Sequence, residues 1–238
     1  MHFHTESYTD KGLMAEINQD ALLIAEGNRV SVLCIADGMG GHEHGEIASR
    51  MIVDGISEWH KTAEKSKNEE SFMDLLDDFE NKLTSINRIL YLDYNKKSIC
   101  GSTLVALLIY EHTFAIFSAG DSRIYRKHGF SFSQLTTDDV WQNQPMVKRE
   151  FDSSQIKSNL NYGKLTKAVG VSDYISLSRV TGTIRKGDIF FLCCDGVYKY
   201  IEEKKLRKYV TKPELLKKSI LSSGAPDNYS FISVVFDS

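Results

Sequence analysis

Residues 30–42 read Val30-Ser31-Val32-Leu33-Cys34-Ile35-Ala36-Asp37-Gly38-Met39-Gly40-Gly41-His42, an apolar run that ends at an aspartate and a glycine-rich turn. An apolar run of this length, rich in β-branched side chains, predicts a buried strand. A carboxylate at the end of such a strand needs a cation or several hydrogen-bond donors, because burying a lone ion is costly. The glycines allow a sharp turn that brings a carbonyl oxygen close to the same cation. The stretch therefore predicts a site at which oxygen atoms bind a hard cation.

Three other aspartates occupy similar positions in the chain. The apolar run 187–194 ends at Asp195-Gly196, the run 114–119 leads into Gly120-Asp121, and Asp227-Asn228 precedes the run 229–236. A single Asp-Gly pair is usually a turn residue of a hairpin. Four such aspartates in one chain favour a shared metal site, which requires that four distant strands end at one edge of the sheets.

The bulk composition is typical of a globular protein. The chain has 238 residues, of which 42% are hydrophobic and 26% are charged, an ordinary size for one large domain. A formal net charge of −3 gives no reason to expect nucleic-acid binding. No apolar run is long enough to span a membrane, and the first residues lack the form of a signal peptide. We therefore expect a cytoplasmic protein with no membrane association.

The cysteines agree with that compartment. They lie in or beside apolar runs and lack the C-x-x-C spacing of zinc sites. Buried free thiols in a reducing cytosol are therefore expected, rather than disulfides. The four residues are Cys34, Cys100, Cys193 and Cys194.

Hydrophobic periodicity predicts a layered α+β fold. Helical spacing of apolar residues predicts one helix over 47–59 and another over 72–90. The polar segment 136–164 is too long for a routine connection, and we expect a flap over a site. Residues 202–218 predict a solvated helical face rather than an anion-binding patch, and the N-terminal His2 and His4 are expected to be frayed. Strands are predicted at 103–110, 113–118, 123–126, 176–183, 189–194 and 229–236.

Eight motifs follow one another along the chain. They are Thr9-Asp10-Lys11-Gly12 with Asn18-Gln19-Asp20, Ala36 to His42, Gly101-Ser102-Thr103, Gly120-Asp121-Ser122-Arg123, Gln134-Leu135-Thr136, Leu165 to Gly170, Cys194-Asp195-Gly196-Val197, and Asp227-Asn228-Tyr229-Ser230. Together they resemble the bacterial form of the type 2C metal-dependent protein serine/threonine phosphatases, the PPM family. The resemblance implies a four-layer α-β-β-α sandwich with two central antiparallel sheets, built as a single phosphatase domain over residues 1–238.

The resemblance also implies roles for individual residues at a site for two metal ions. Asp37 is similar to the carboxylate that bridges the two ions, and the carbonyl oxygen of Gly38 would bind one of them. Asp195 and Asp227 would complete the ligands of the other ion. Together with a nearby acidic residue, Asp20, these three aspartates form the implied catalytic set.

The implied chemistry is hydrolysis of phosphoserine and phosphothreonine in proteins. Two Mn²⁺ or Mg²⁺ ions about 3.5–4 Å apart activate a bridging water for in-line attack, and no protein nucleophile is needed. Oxygen ligands suit these ions better than zinc. Asp121 resembles a residue that helps to hold a third, weaker ion. The implied partners are phosphoproteins and an opposing Hanks-type kinase, and the implied state is a monomer.

Four positions depart from the family pattern. An arginine that clamps phosphate is replaced by Ala15, and its loss should weaken phosphate binding by about 2–3 kcal/mol. Gln19 replaces a common glutamate, and Asp138-Asp139 stands where Asp-His is usual. Lys199 stands where a further Asp or Asn is usual, which makes occupancy of the third ion an open question.

Several other polar residues have an ordinary structural interpretation. A His42/His44 pair could bind a transition metal, but His42 lies in the glycine-rich turn, where hydrogen bonding is the more common role. Ser102 and Thr103 lack the G-x-S-x-G surroundings of a nucleophile and are expected to lie in the sheet under the site.

Three functions agree with this pattern. The first is a metal-dependent protein phosphatase. The second is a catalytically weak or inactive binding module of the same fold, which the loss of the arginine at Ala15 would favour. The third is a phosphoesterase that acts on small molecules. The set Asp37, Asp195 and Asp227 argues against the second, because buried like charges without a function are costly.

Overall fold

The computed structural model describes residues 2–40, 44–66, 71–94 and 99–237. Within these residues, eleven strands form two antiparallel sheets. They are β1 (Phe3–Asp10), β2 (Asp20–Ala25), β3 (Ser31–Met39), β4 (Gly101–Ser102), β5 (Leu104–Tyr110), β6 (Thr113–Ala119), β7 (Arg123–His128), β8 (Ser131–Gln134), β9 (Ser178–Thr183), β10 (Ile189–Cys193) and β11 (Tyr229–Phe236). The strand order is β1-β11-β10-β7-β8 in the first sheet and β2-β3-β5-β6-β9 in the second, where β4 also pairs with β3.

Helices flank the two sheets. The helices are α1 (Gly45–Lys65), α2 (Phe72–Tyr94), α3 (Pro145–Glu150), α4 (Ser153–Ser158), α5 (Asp195–Tyr198), α6 (Glu203–Tyr209) and α7 (Pro213–Ser222), with a 3₁₀ turn at Trp141–Asn143. The pair α1 and α2 packs on the second sheet, and α6 and α7 pack on the first. The predicted four-layer α-β-β-α sandwich with two antiparallel sheets is confirmed.

The central strand β3 shows why the quoted stretch determines the fold. Successive side chains of a strand point to opposite faces of the sheet. Leu33 and Ile35 therefore face the core between the two sheets, whereas Cys34 and Ala36 face the core beneath α1 and α2. Because both faces are buried, the strand is apolar at consecutive positions rather than at alternate ones.

The long helices behave as their periodicity predicts. One face of α1 supplies Ile52, Ile56 and Trp59 to the core, and α2 supplies Phe79. The Trp59 and Phe79 rings meet edge to face with centroids 4.6 Å apart. The Trp59 indole N–H donates to Asp78 Oδ2 at 2.7 Å, so the polar edge of this buried ring is satisfied.

The N-terminus corrects one prediction. The expectation of a frayed terminus at His2 and His4 was wrong, because β1 pairs with β11 along its whole length, from Phe3 opposite Phe236 to Asp10 opposite Tyr229. His4 Nδ1 also lies 2.8 Å from Asp237 Oδ2. The alternating exposed positions of an edge strand are polar, so the apolar signal used to predict strands is weak here.

The segment 136–164 is more ordered than a plain loop. It contains the 3₁₀ turn, α3 and α4, and a capping box in which Asp152 accepts from the N–H groups of Ser154 and Gln155 stabilises α4. Residues 202–218, predicted as one helical face, form two helices that break before Pro213. All four cysteines are buried and free, as predicted. In the described ranges, no helix is long and apolar enough to cross a membrane.

Candidate metal centre

The ends of strands from both sheets meet at one edge of the sandwich. In the second sheet, Asp20 at the start of β2 lies opposite Asp37 near the end of β3. In the first sheet, Asp195 follows β10 as the first residue of α5, and Asp227 precedes β11. We call Asp20, Asp37, Asp195 and Asp227 the acidic centre. The strand ends next to Asp195 and Asp227 agree with the predicted strands at 189–194 and 229–236, whereas β3 continues past Asp37 to Met39 and β2, which begins at Asp20, was not predicted. The topology brings the four carboxylates together.

Hydrogen bonds from the first sheet to Asp20 join the two sheets at this edge. Asp20 Oδ2 accepts from the Ser230 hydroxyl at 2.7 Å and from the Cys194 thiol at 3.2 Å. Burial raises the pKa of the Cys194 thiol well above its usual value, and the charge of Asp20 adds to this effect. Cys194 therefore stays protonated and acts as a donor to the carboxylate, rather than as a thiolate ligand. The sequence predicted a buried thiol here, but not this contact.

Two glycines explain how the strand ends approach so closely. A Cβ on Gly38 would lie 2.2 Å from the carbonyl oxygen of Gly45, and a Cβ on Gly196 would lie 1.9 Å from that of Asn228. Any side chain at either position would separate the backbones that form the centre. Close packing at this edge therefore requires glycine at positions 38 and 196, whether or not these glycines also form turns.

Burial and repulsion by neighbouring carboxylates raise the pKa of Asp20, Asp37 and Asp227. Burial raises the pKa of Asp20 to about 6, and repulsion from Asp195 and Asp227 adds to it. Burial also raises the pKa of Asp37 well above its usual value, with further repulsion from Asp20 and Asp195. Asp37 remains partly accessible to solvent. Its carboxylate is therefore desolvated by the protein groups packed around it, although it is not completely enclosed. In the described part of the chain, no lysine or arginine lies within ion-pair distance of Asp20, Asp37 or Asp227.

The donor set fits divalent cations. Asp20 Oδ1 is buried and accepts no hydrogen bond from the described residues. Asp20, Asp37 and Cys194 offer ligand atoms within 4.8 Å of one another, and with the thiol acting as a donor the available ligands are oxygens. Carboxylate oxygens without a lysine or arginine at ion-pair distance, as at Asp20, Asp37 and Asp227 in the described chain, suit a hard ion such as Mn²⁺ or Mg²⁺.

Asp121 lies beside the centre but has partners of its own. The Tyr198 hydroxyl donates to Asp121 Oδ2 at 3.2 Å, and Lys199 Nζ lies 3.6 Å from the same oxygen. Lys199 Nζ also donates to Asp195 Oδ2 at 2.6 Å. Burial lowers the pKa of Lys199, but attraction by Asp195 and Asp121 outweighs it and raises the pKa overall. Lys199 is therefore a charged ammonium held between two carboxylates.

Asn228 is a site residue whose role sequence reasoning missed. Its Oδ1 accepts from the N–H of Gln19 at 2.8 Å, and its Nδ2 donates to the carbonyls of Lys11 and Ile17. These bonds hold the segment from residue 11 to residue 19 against the acidic centre. The only signal in the sequence is the position of Asn228 directly after Asp227.

A cavity of about 430 Å³ opens next to Asp227. Its lining contains Ala15, where the family pattern has an arginine, and Glu16 adds a negative charge. No lysine or arginine lines it among the residues that the structure describes. The lining consists of Met14, Ala15, Glu16, Ile17, Gln19, Gly40, Asp227 and Asn228.

Other candidates from the sequence have supporting positions. Ser102 Oγ donates to the Asp37 carbonyl at 2.9 Å, and Thr103 Oγ1 accepts from the Asp37 N–H at 3.1 Å, so both support β3 beneath the site, as predicted. His42 lies outside the described residues. His44 precedes α1, and its Nδ1 has no hydrogen-bond partner in the described chain.

Asp138 and Asp139, at the start of the segment 136–164, have basic partners of their own. Asp138 forms a two-pronged ion pair with Arg123, at 3.0 Å from Nε and 2.6 Å from the terminal nitrogen. Asp139 pairs with Lys167 at 2.9 Å and accepts from the Gly120 N–H. The exposed Lys148 and Arg149 lie in the last turn of α3.

Comparisons with known proteins agree with this architecture. A sequence model of the protein phosphatase 2C family matches residues 14–219. The chain is 26% identical to the serine/threonine phosphatase stp of Listeria monocytogenes, over 98% of this chain and 96% of the relative. It is 28% identical to protein phosphatase PhpP of Streptococcus pneumoniae, over 92% of each chain.

Solved structures give the same result. One described as PppA, a key regulatory component of T6SS in Pseudomonas aeruginosa, superposes with a TM-score of 0.83 and 27% identity over 99% of both chains. The catalytic domain of the phosphatase PstP in complex with two manganese ions superposes with a TM-score of 0.79 over 99% of both chains. At 22% identity, this second likeness concerns the fold.

Proposed function

Because the chain belongs to the protein phosphatase 2C family, we propose that it is a metal-dependent phosphatase of phosphoserine and phosphothreonine in proteins. The observation that supports this most strongly is the acidic centre. Burial and repulsion by neighbouring carboxylates raise the pKa of Asp20, Asp37 and Asp227, and no lysine or arginine of the described residues lies within ion-pair distance of these three. A fold that keeps such a cluster must neutralise it, and divalent cations do so with the oxygen ligands present.

We assign Asp37, Asp195, Asp227 and the Gly38 carbonyl as ligands of two Mn²⁺ or Mg²⁺ ions. When bound, a pair of such ions lowers the pKa of water and neutralises charge on phosphate oxygens. Asp20 is held by Ser230 and Cys194, which leaves its unpartnered Oδ1 available as an acceptor at the edge of the centre. Its raised pKa, about 6, suits a group that exchanges protons near neutral pH.

The cavity beside Asp227 is our candidate site for the phosphoester. Since Ala15 and Glu16 supply no positive charge, phosphate binding depends on the ions more than it would with an arginine at position 15. Asn228 keeps this wall in place by its bonds to Lys11, Ile17 and Gln19. The site is therefore expected to bind small phosphoesters weakly and to gain affinity from the rest of a phosphopeptide.

The substrates, the partner kinase and the cellular compartment follow from the same proposal. The relatives named serine/threonine phosphatases support phosphoprotein substrates, and an opposing serine/threonine kinase of the Hanks type is the partner that such a role requires. Buried free thiols at all four cysteines fit the reducing cytoplasm. We further propose that residues 1–238 act as one phosphatase domain and as a monomer in bacterial signalling.

The test is hydrolysis of a phosphothreonine peptide and of p-nitrophenyl phosphate by metal-stripped protein, with and without Mn²⁺. We expect turnover of both with Mn²⁺, none with EDTA, and at least a hundredfold loss in Asp195→Asn. Unchanged turnover after exhaustive chelation would contradict the metal-dependent mechanism. Turnover of p-nitrophenyl phosphate alone would indicate a small-molecule phosphoesterase, and no turnover by folded, Mn²⁺-bound protein would indicate a binding module.

A further inference from the structure

We propose that the ammonium group of Lys199 takes the place of a third divalent cation between Asp121 and Asp195, so that the centre binds two ions and not three. This inference rests on the proposed function, because it concerns the metal content of the same centre. It departs from what the resemblance implied for Asp121. The residues around Asp121 do not fit a third ion.

One oxygen of Asp121, Oδ2, already has contacts supplied by the chain. Lys199 Nζ lies 2.6 Å from Asp195 Oδ2 and 3.6 Å from Asp121 Oδ2. The Tyr198 hydroxyl donates to the same Asp121 oxygen at 3.2 Å. The guanidinium of Arg123 lies over the Tyr198 ring, 3.5 Å from its centroid, and restrains the direction of that hydroxyl. An ion bound to Asp121 Oδ2 would have to displace one of these donors.

The backbone presets this arrangement. Asp195 is the first residue of α5 and Lys199, four residues later, directly follows its last residue, and the Lys199 N–H donates to the Asp195 carbonyl at 3.0 Å. Side chains with this spacing lie on one face of a helical turn. The ammonium is therefore tethered beside Asp195 at a high effective concentration, which a free ion must overcome.

The ammonium also repels any further cation at this position. A divalent ion bound between Asp121 and Asp195 would lie within a few ångströms of Lys199 Nζ, where like charges repel strongly. The other side of the centre, at Asp20 and Asp37, has no such internal cation among the described residues. Asp121 is thus a positioning residue that orients Lys199, and Lys199 fixes one oxygen of Asp195 while the other stays available.

The test measures bound Mn²⁺ per protein by equilibrium dialysis of metal-stripped protein at saturating Mn²⁺. We expect two ions in the wild type and in Asp121→Asn, and three in Lys199→Asp, where a carboxylate replaces the ammonium. The third ion should disappear again in Lys199→Asp combined with Asp121→Asn. Lys204→Asp, the same charge change at an exposed position of α6, is the matched control and should keep two ions.

Circular dichroism and the melting temperature show whether each variant is folded, and Lys199→Ser removes the ammonium without adding a charge if Lys199→Asp fails to fold. Three ions in the wild type, one of them lost in Asp121→Asn, would overturn the inference and leave the proposed function intact. Two ions in both folded Lys199 variants would also overturn it. No Mn²⁺ bound by folded wild type would overturn the inference together with the metal-dependent function.

Discussion

Two aspartates at opposite ends of β10 have opposite environments. Asp188 directly precedes the strand and is fully buried. It accepts from Arg126, from His128 Nδ1 at 2.9 Å and from the Arg185 N–H at 2.7 Å. Donors from the chain therefore satisfy this carboxylate on both oxygens, and it requires nothing from solution.

Asp195 lies two residues beyond the other end of the same strand. In the described structure its one basic partner is Lys199, and it faces Asp20, Asp37 and Asp227, which have none. The same residue type on the same strand thus serves two purposes. At Asp188 the chain supplies the donors, and the carboxylate stabilises the fold. At the acidic centre the chain supplies few donors, and the carboxylates are available to cations.

Asp37→Asn should impair the acidic centre more than any other single substitution considered for Asp37 or Asp188. We expect at least a hundredfold loss of phosphopeptide hydrolysis, about 2.7 kcal/mol in barrier height, because the substitution removes the charge shared by both ions. Steady-state rates with Mn²⁺ measure it, and the melting temperature shows that the variant is folded. Retention of more than a tenth of the wild-type rate would exclude a bridging role.

Asp188→Asn should show the reverse behaviour. Loss of this charge leaves Arg126 and His128 without their buried partner, and we expect the free energy of unfolding to fall by about 3 kcal/mol. Urea denaturation measures the loss. At a temperature where the variant is folded, its kcat and its stabilisation by Mn²⁺ should match the wild type. A normal stability with a large fall in kcat would reverse the roles assigned to the two ends of β10.

The stability of metal-free protein should depend on pH through Asp20. Burial raises the pKa of Asp20 from its usual value, 3.8, to about 6. At pH values between these two, the folded state therefore keeps a proton on Asp20 that the unfolded state has released. The stability due to this group is therefore highest at low pH and falls by up to about 3 kcal/mol as pH rises through 6.

The matched control is Asp20→Asn, which keeps the shape of the side chain and cannot titrate. In EDTA, the free energy of unfolding of the wild type relative to Asp20→Asn should decrease between pH 4.5 and pH 7.5. Saturating Mn²⁺ should reduce that decrease, since bound cations favour the charged carboxylate. A constant difference between the two proteins across this range would show that Asp20 is not desolvated.

A milder change is expected from a substitution in the cavity beside Asp227. Ala15→Arg should lower KM for p-nitrophenyl phosphate several-fold with less change in kcat, because a clamp acts mainly on ground-state binding. If instead Lys148 or Lys199 already binds the phosphate, KM should stay constant or rise in Ala15→Arg, and Lys148→Ala or Lys199→Ala should raise it sharply. Steady-state kinetics of the three variants distinguish the two cases.

Much of this arrangement could be predicted from sequence, because it depends on local patterns. The apolar run 30–36 predicts a strand buried on both faces, and Asp-Gly at its end predicts a carboxylate at a sheet edge. The contact of Asp20 with Ser230 and Cys194 could not be predicted, since it joins residues about 200 positions apart in different sheets. Strand β1 was not predicted for a related reason, because it is stabilised by pairing with β11, a tertiary contact.

The two ends of β10 also differ in how well the sequence describes them. Asp195 is marked by the glycine that follows it and by its place after an apolar run. Nothing near Asp188 marks its partners, because Arg126 and His128 come from β7, which is its neighbour only in the folded sheet. The sequence therefore locates carboxylates well, whereas the fold determines which of them are neutralised internally.

The most direct measurement is anomalous diffraction from crystals of the protein grown or soaked with Mn²⁺. We expect two anomalous peaks, bounded by Asp37, Asp195, Asp227 and the Gly38 carbonyl, and no peak at Asp188. Crystals of Asp37→Asn under the same conditions should lose at least one of the two peaks. Absence of anomalous density at the acidic centre of the wild type, at Mn²⁺ concentrations that support hydrolysis, would contradict the account.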